Sequence, residues 1–204
     1  MSDDPVVHVV DDDEDLRQSL VFLLESVGVQ ALTYPDAQTF LDEFDPAEPA
    51  VVIVDVRMPA ISGFQLQEKL AEIDCPAPLI FCSAHGDIPM SVRALTAGAV
   101  DFLEKPYQAQ RMVEVVQTQL VEARRRFAEH AERQAVRARL DTLTQREREV
   151  LRLVVDGMPS QAIAHRLGTS VKTVDVHRAR IKAKTSADSL GTLVRDILTH
   201  RVTV

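Results

Sequence analysis

The chain has 204 residues, 46% of them hydrophobic, and a formal charge of −8. No apolar run reaches the roughly 20 residues that span a bilayer, and the opening MSDDP carries acid where an export signal carries base. A cytoplasmic protein without a membrane partner is therefore expected.

Cys75 and Cys82 lack metal or redox spacing and are expected to be small buried hydrophobes in a reducing compartment. The charge is uneven: net −15 over residues 1–120, +3 over 121–140 and +4 over 141–204. An acidic body with a basic tail points to two functions, the second facing nucleic acid.

Residues 6–10 (VVHVV) read as a strand. Leu16, Leu20, Leu23, Leu24 and Val27 follow at helical spacing until Gly28 stops them. A short strand is expected at 30–34. Asp36 can then cap a helix carrying Ala37, Phe40, Leu41 and Phe44. Residues 51–54 make an all-apolar strand, 64–73 a helix and 79–82 a second buried strand. A helix at 89–97 ends at Gly98, and 100–103 makes a fifth strand. Alternating elements with continuously apolar central strands predict an α/β doubly wound parallel sheet, covered on both faces.

Residues 108–141 contain no Gly or Pro and predict one long helix. Val113, Val116, Leu120, Ala123 and Phe127 form a stripe at heptad-like spacing, but the register then meets His130, Gln134 and Arg137. Residues 121–140 thus read as a solvated helical linker, dividing a domain at 1–120 from one at 141–204. From Leu143 onward four short helices are expected, each closed by Gly or opened by Ser or Thr. In the last of them Leu190, Leu193, Val194 and Ile197 form a stripe that could pair with a second copy.

In a parallel sheet, ligands sit at the carboxyl edge. Asp11 and Asp12 end the first strand, Asp55 the third, Ser83 the fourth and Lys105 the fifth. Crowded carboxylates resist ionising together and call for a divalent cation. An oxygen-only donor set favours Mg²⁺. A neutralised carboxylate could attack phosphorus and become an aspartyl-phosphate, with Lys105 pairing to one phosphoryl oxygen and Ser83 bonding to another. An EF-hand fails, because Leu16 stands where it needs Gly and Phe22 where it needs Glu. A haloacid-dehalogenase-type phosphatase fails at Asp15. Asp13, Glu14 and Asp15 instead suit the N-terminus of the following helix. His8 reads as a core histidine, and His85 as a loop residue near the pocket.

The segments VVDDDE, VDVRMP, CSAHGD and EKP resemble a bacterial response-regulator receiver domain over residues 5–120. The resemblance implies a flavodoxin-like sheet of order 2-1-3-4-5 with Asp55 as phosphoacceptor. Asp12, Asp55 and the Arg57 carbonyl would hold Mg²⁺ directly and Asp11 through water. Ser83 and Lys105 would sense the phosphoryl group, and the Lys105–Pro106 bond would be cis. Phe102 stands where many receivers carry a Tyr or Thr switch, so a ring could swing there without a hydroxyl.

SQAIAHRLG followed by TSVKTVDVHRARIKAK has the layout of a helix-turn-helix. On its second helix Val171, Val174 and Ile181 are expected to pack inward. Lys172, Asp175, Val176 and Ala179 share another face, flanked by Ser170, Thr173, His177, Arg180 and Lys184. The first set could meet base edges and the flank phosphates. Residues 143–184 resemble the LuxR-type DNA-binding domain through Leu143-Thr144, Arg146-Glu147, Glu149-Val150-Leu151, Ile163-Ala164, Leu167-Gly168 and Thr173-Val174 with His177. Pro159-Ser160-Gln161 departs from the usual Ser-Asn-x.

A receiver followed by this domain is the FixJ/NarL arrangement. It implies a two-component transcription factor rather than an enzyme. A sensor histidine kinase, promoter DNA and a phosphorylation-dependent homodimer would be its partners, with RNA polymerase a further candidate. Two alternatives are a phosphorylation-independent DNA-binding regulator and a phosphotransfer enzyme. The latter lacks a separate general acid.

Overall fold

The computed structural model describes residues 4–84 and 87–204; the His85 reading lies outside them. The chain divides into two compact units, Met1–Ala128 and Glu129–Val204.

In the first unit β1 (Val6–Val10), β2 (Ala31–Tyr34), β3 (Ala50–Asp55), β4 (Leu79–Ser83) and β5 (Asp101–Glu104) alternate with α1 (Glu14–Glu25), α2 (Ala37–Glu43), α3 (Gly63–Glu72), α4 (Ile88–Thr96) and α5 (Ala109–Asp141), whose last residues belong to the second unit. The strands pair in parallel in the order β2-β1-β3-β4-β5. Because strand side chains alternate in direction, β3 feeds two cores. Val52 and Val54 meet Phe40, Leu66 and Phe81 on the face covered by α2, α3 and α4. Val51 and Ile53 meet Leu24, Met112 and Val116 on the face covered by α1 and α5. Each such fully buried aliphatic side chain contributes about 1.5–3 kcal/mol, which is why a strand apolar on both faces sits at the sheet centre.

The helices start where side chains can accept orphan backbone N–H groups. Asp13 accepts from Leu16, Asp36 from Thr39 and Asp87 from Met90, while Ser62 and Gln65 make a reciprocal cap for α3. Glu14 and Asp15 occupy the first turn of α1, where the helix dipole favours acids. His8 is buried in β1 with Nδ1 3.0 Å from the Tyr34 hydroxyl, among the rings of Tyr34, Phe40 and Phe44. Burial lowers its pKa to about 4, so the ring is neutral at physiological pH. Cys82 is buried and Cys75 half-buried, both as free thiols.

The second unit contains α6 (Gln145–Val155), α7 (Ser160–Arg166), α8 (Val171–Lys184) and α9 (Leu190–Thr199). Val150, Leu151, Ile163, Val174, Ile181, Leu193 and Ile197 form its core.

Three expectations are corrected. Residues 121–140 are not a solvated linker: Ala123 belongs to the core of the first unit, and Val136 and Leu140 to that of the second. Their spacing along α5 serves two different cores, so no single heptad register spans it. On α9, Leu193 and Ile197 are spent on the domain's own core, which leaves no four-residue stripe for a second copy. Val171 is 40% exposed, because it occupies the first position of α8, ahead of the turn that meets the core.

Candidate functional site

The carboxyl edge of the first sheet gathers the charged groups. Asp55 is the last residue of β3, and the register pairs it with Cys82, so Ser83 lies one step beyond on β4. The Asp11, Asp12 and Asp55 carboxylates each place an oxygen within 4.8 Å of the others. Asp11, Asp55 and Ser83 are buried, and Asp12 is exposed.

Lys105 enters this cluster from the end of β5, with Nζ 2.5 Å from Asp11 Oδ2 and 3.5 Å from Asp55 Oδ1. The Lys105–Pro106 bond is cis, and the Lys105 N–H donates to the Ser83 carbonyl at 2.8 Å.

Asp11 is held at every polar atom. Its Oδ1 accepts from the Asp13 N–H at 3.0 Å, its Oδ2 from Lys105, and its carbonyl from the Arg17 guanidinium. Asp55 is held less completely. Its Oδ2 accepts from the Arg57 N–H at 3.3 Å, and its buried Oδ1 has no hydrogen-bond partner. Burial raises the Asp55 pKa, Lys105 opposes the rise, and Asp11 adds to it. Lys105 is also raised: desolvation works against its charge, but the bond to Asp11 and the charges of Asp11 and Asp55 outweigh it. A buried acceptor without a hydrogen bond among three carboxylates fits a divalent cation, and the all-oxygen donor set is the kind hard cations take.

Phe102 is half-buried on β5, with its ring 6.2 Å from that of Phe81. Gly63, which the sequence reading passed over, lies against the site. Its N–H donates to the Val56 carbonyl at 3.1 Å, and a Cβ there would stand 2.3 Å from the Asp55 carbonyl oxygen. Arg17 was missed too, since its contact is to a backbone carbonyl that no motif marks.

In the second unit α7, the turn at Gly168 (φ 62°) and α8 form a helix-turn-helix. Lys172, Thr173, Asp175, Val176, Ala179 and Arg180 are exposed on α8. His177 is half-buried, and its Nδ1 has no hydrogen-bond partner. Lys184, expected on the phosphate-facing stripe, is exposed and has its ammonium 2.7 Å from Oε2 of the buried Glu147 on α6. A buried carboxylate is stabilised by a paired cation, and Lys184 supplies one to Glu147. Pro159 caps α7 without a side-chain hydrogen bond, and the Ser160 hydroxyl donates to Asp175 Oδ1 at 2.9 Å.

Residues 7–117 match the family model of the response regulator receiver domain, and 141–196 that of the bacterial regulatory proteins of the luxR family. The chain is 41% identical over 200 residues to the transcriptional regulatory protein FixJ of Rhizobium meliloti (strain 1021), covering 94% of each chain. It is also 41% identical over 192 residues to the transcriptional regulatory protein TdiR of Thauera aromatica, covering 94% of this chain and 85% of that one. Among solved structures it resembles response regulator StyR, with TM-score 0.69, 40% identity, and coverage of 96% of this chain and 99% of that one. Full-length FixJ from B. japonicum gives TM-score 0.56 and 34% identity, covering 98% of each.

The fold joins a receiver domain to a helical domain of the luxR family. The chain belongs to the response regulators that join a receiver domain to a LuxR-type DNA-binding domain, and it is a transcription regulator of the FixJ kind.

Proposed function

We propose that a sensor histidine kinase phosphorylates Asp55, and that the modified receiver pairs with a second copy and so raises affinity for promoter DNA. The observation that carries this reading is the buried Asp55 Oδ1, which lacks a hydrogen bond and has only the Lys105 ammonium at 3.5 Å, set beside Asp11 and Asp12.

Asp12, Asp55 and the Arg57 carbonyl would hold Mg²⁺ directly, with Asp11 acting through water; the ion supplies positive charge that offsets the carboxylates and the phosphoryl oxygens. An oxygen of Asp55 attacks phosphorus, the phosphorus–nitrogen bond to the kinase histidine breaks, and that imidazole leaves with its electron pair. Lys105 then exchanges part of its contact with Asp11 for a phosphoryl oxygen, and the Ser83 hydroxyl donates to another. That movement opens space for Phe102 to turn inward. The same pocket admits water to hydrolyse the aspartyl-phosphate and reset the switch.

Ile88, Val92 and Leu95 lie at i, i+4 and i+7 on α4 and are 79%, 56% and 47% exposed. This exposed apolar face, on a helix packed against β5, supports pairing of two receivers. Exposed Arg180 on α8 suits DNA phosphates, and Lys172, Asp175, Val176 and Ala179 suit base edges. The cytoplasm, where kinase, promoter and RNA polymerase meet, is the compartment this role requires. Sedimentation with beryllofluoride and Mg²⁺ tests the switch. Pairing at micromolar concentration is expected; an unchanged mass alongside unchanged DNA affinity would favour a regulator that ignores phosphorylation.

A further inference from the structure

Two residues in the first turn of α6 reach the turn and the far end of the helix-turn-helix. Arg146 donates from Nη2 to the Leu167 carbonyl at 3.1 Å, at the end of α7, and from Nη1 to Glu149 at 2.7 Å. Its neighbour Glu147 is 3% exposed, and its Oε2 accepts two bonds. One comes from the Thr144 N–H at 2.8 Å, closing the cap of α6. The other comes from Lys184 Nζ at 2.7 Å, in the last turn of α8. The Ser160 hydroxyl adds a third tie, to Asp175. A 14-residue helix is about 20 Å long, so a tie at only one end would let the other swing across a groove. α8 is tied near both.

We propose that Glu147 is a positioning residue for DNA reading: through Lys184 it fixes the C-terminal turn of α8, while Arg146 fixes the turn that precedes it. This rests on the reading of α8 as the DNA-reading helix. Glu147 does not touch DNA; it sets the angle at which Asp175, Val176 and Ala179 meet base edges. Its carboxylate stays charged far into acid. Burial disfavours the charge, but the Lys184 and Thr144 bonds prevail and lower its pKa to about 2.

The pairing assigns Lys184 a role distinct from Arg180. A phosphate contact contributes to binding at every sequence and to its salt dependence. A positioning contact affects only sites whose bases are read.

The test uses the full-length chain. Glu147→Gln keeps an acceptor for the Thr144 N–H and loses the ion pair, and Lys184→Met keeps the aliphatic stem. Affinity is measured across a salt series for a duplex selected from a random pool by the unaltered protein, and for a random-sequence duplex. Each variant, and the double variant, is expected to lose about tenfold on the selected duplex, a change on the scale of one misplaced base contact. The double should be no worse than either single. The random duplex and both salt slopes should be unchanged. Lys184→Arg, which keeps the pair, should bind as the unaltered chain does.

Circular dichroism melts accompany each variant. Should Glu147→Gln unfold at the assay temperature, the comparison of Lys184→Met with Lys184→Arg decides alone. Three results would overturn the proposal. One is a salt slope reduced by about one in Lys184→Met with Glu147→Gln unaffected, which makes Lys184 a phosphate contact. Another is an equal loss on selected and random duplexes, which makes the pair merely structural. The third is no loss at all. A chain that retains no duplex from the pool would contradict the DNA-binding reading itself and take the positioning role with it.

Discussion

Gly63 leaves no room for a side chain against Asp55. A Cβ there would lie 2.3 Å from the Asp55 carbonyl oxygen and 2.9 Å from Phe81 Cε1, and the first of these is backbone that cannot swing away. Gly63→Ala must therefore push the first turn of α3 off the end of β3. The expected cost is about 3 kcal/mol, the upper part of the range for overpacking a core, read as an earlier receiver transition in a urea melt. The same shift should slow phosphoryl incorporation at Asp55. A variant as stable as the parent would show that the β3–α3 loop yields freely.

The buried His8 gives the receiver a pH dependence. Its pKa is near 6.5 unfolded and about 4 folded. The folded state therefore prefers the neutral ring, and the stabilisation is fully present above pH 6.5. It is lost as pH falls from 6.5 toward 4, by on the order of 3 kcal/mol. His8→Gln keeps a partner for the Tyr34 hydroxyl and cannot titrate. Across this window its melting temperature should fall less steeply than the parent's; parallel slopes would show that His8 is protonated without penalty.

DNA contacts divide by chemistry. Arg180→Ala should weaken binding to all duplexes and lower the salt slope by about one. Asp175→Ala or Val176→Ala should change which sequence is retained from a random pool and leave the slope alone. A slope change in Asp175→Ala or Val176→Ala, or a preference change in Arg180→Ala, would reassign the two faces of α8.

α5 joins two cores, so a truncation at its far end should be felt locally. Leu140→Ala is expected to cost the second unit about 2–4 kcal/mol and leave the receiver transition where it is. Residues 129–204, which keep Val136 and Leu140 with their core, should fold and bind DNA alone. Calorimetry on the full chain resolves both transitions.

What the sequence disclosed followed the range of the forces involved. β1, β3 and β4 were legible because strands buried on both faces must be apolar throughout, and their ends fell within a residue or so of the observed ones. Asp11, Asp12, Asp55 and Lys105 were legible together because parallel strands deliver their last residues to one edge. Gly63 was not, since its need arises from the Asp55 carbonyl packed against it, not from a turn or a positive φ. Lys184 was placed by helical spacing on a solvated stripe, but its partner Glu147 lies 37 residues earlier in the chain, a separation no periodicity reports. The stripe on α9 was read correctly as apolar. Periodicity gives the face of a helix, not what covers it, and here Leu193 and Ile197 lie in the domain's own core.

The most direct test of phosphorylation control is DNA affinity measured with and without a small acyl-phosphate donor and Mg²⁺, for the unaltered chain and for Asp55→Asn. The unaltered chain should take up acid-stable, hydroxylamine-labile phosphate and bind its selected duplex at least about tenfold more tightly, a difference of about 1.4 kcal/mol. Asp55→Asn should fold, take up none and keep its basal affinity whether or not donor is present. Phosphate retained by Asp55→Asn, or an affinity that the donor leaves unchanged in the unaltered chain, would contradict the account.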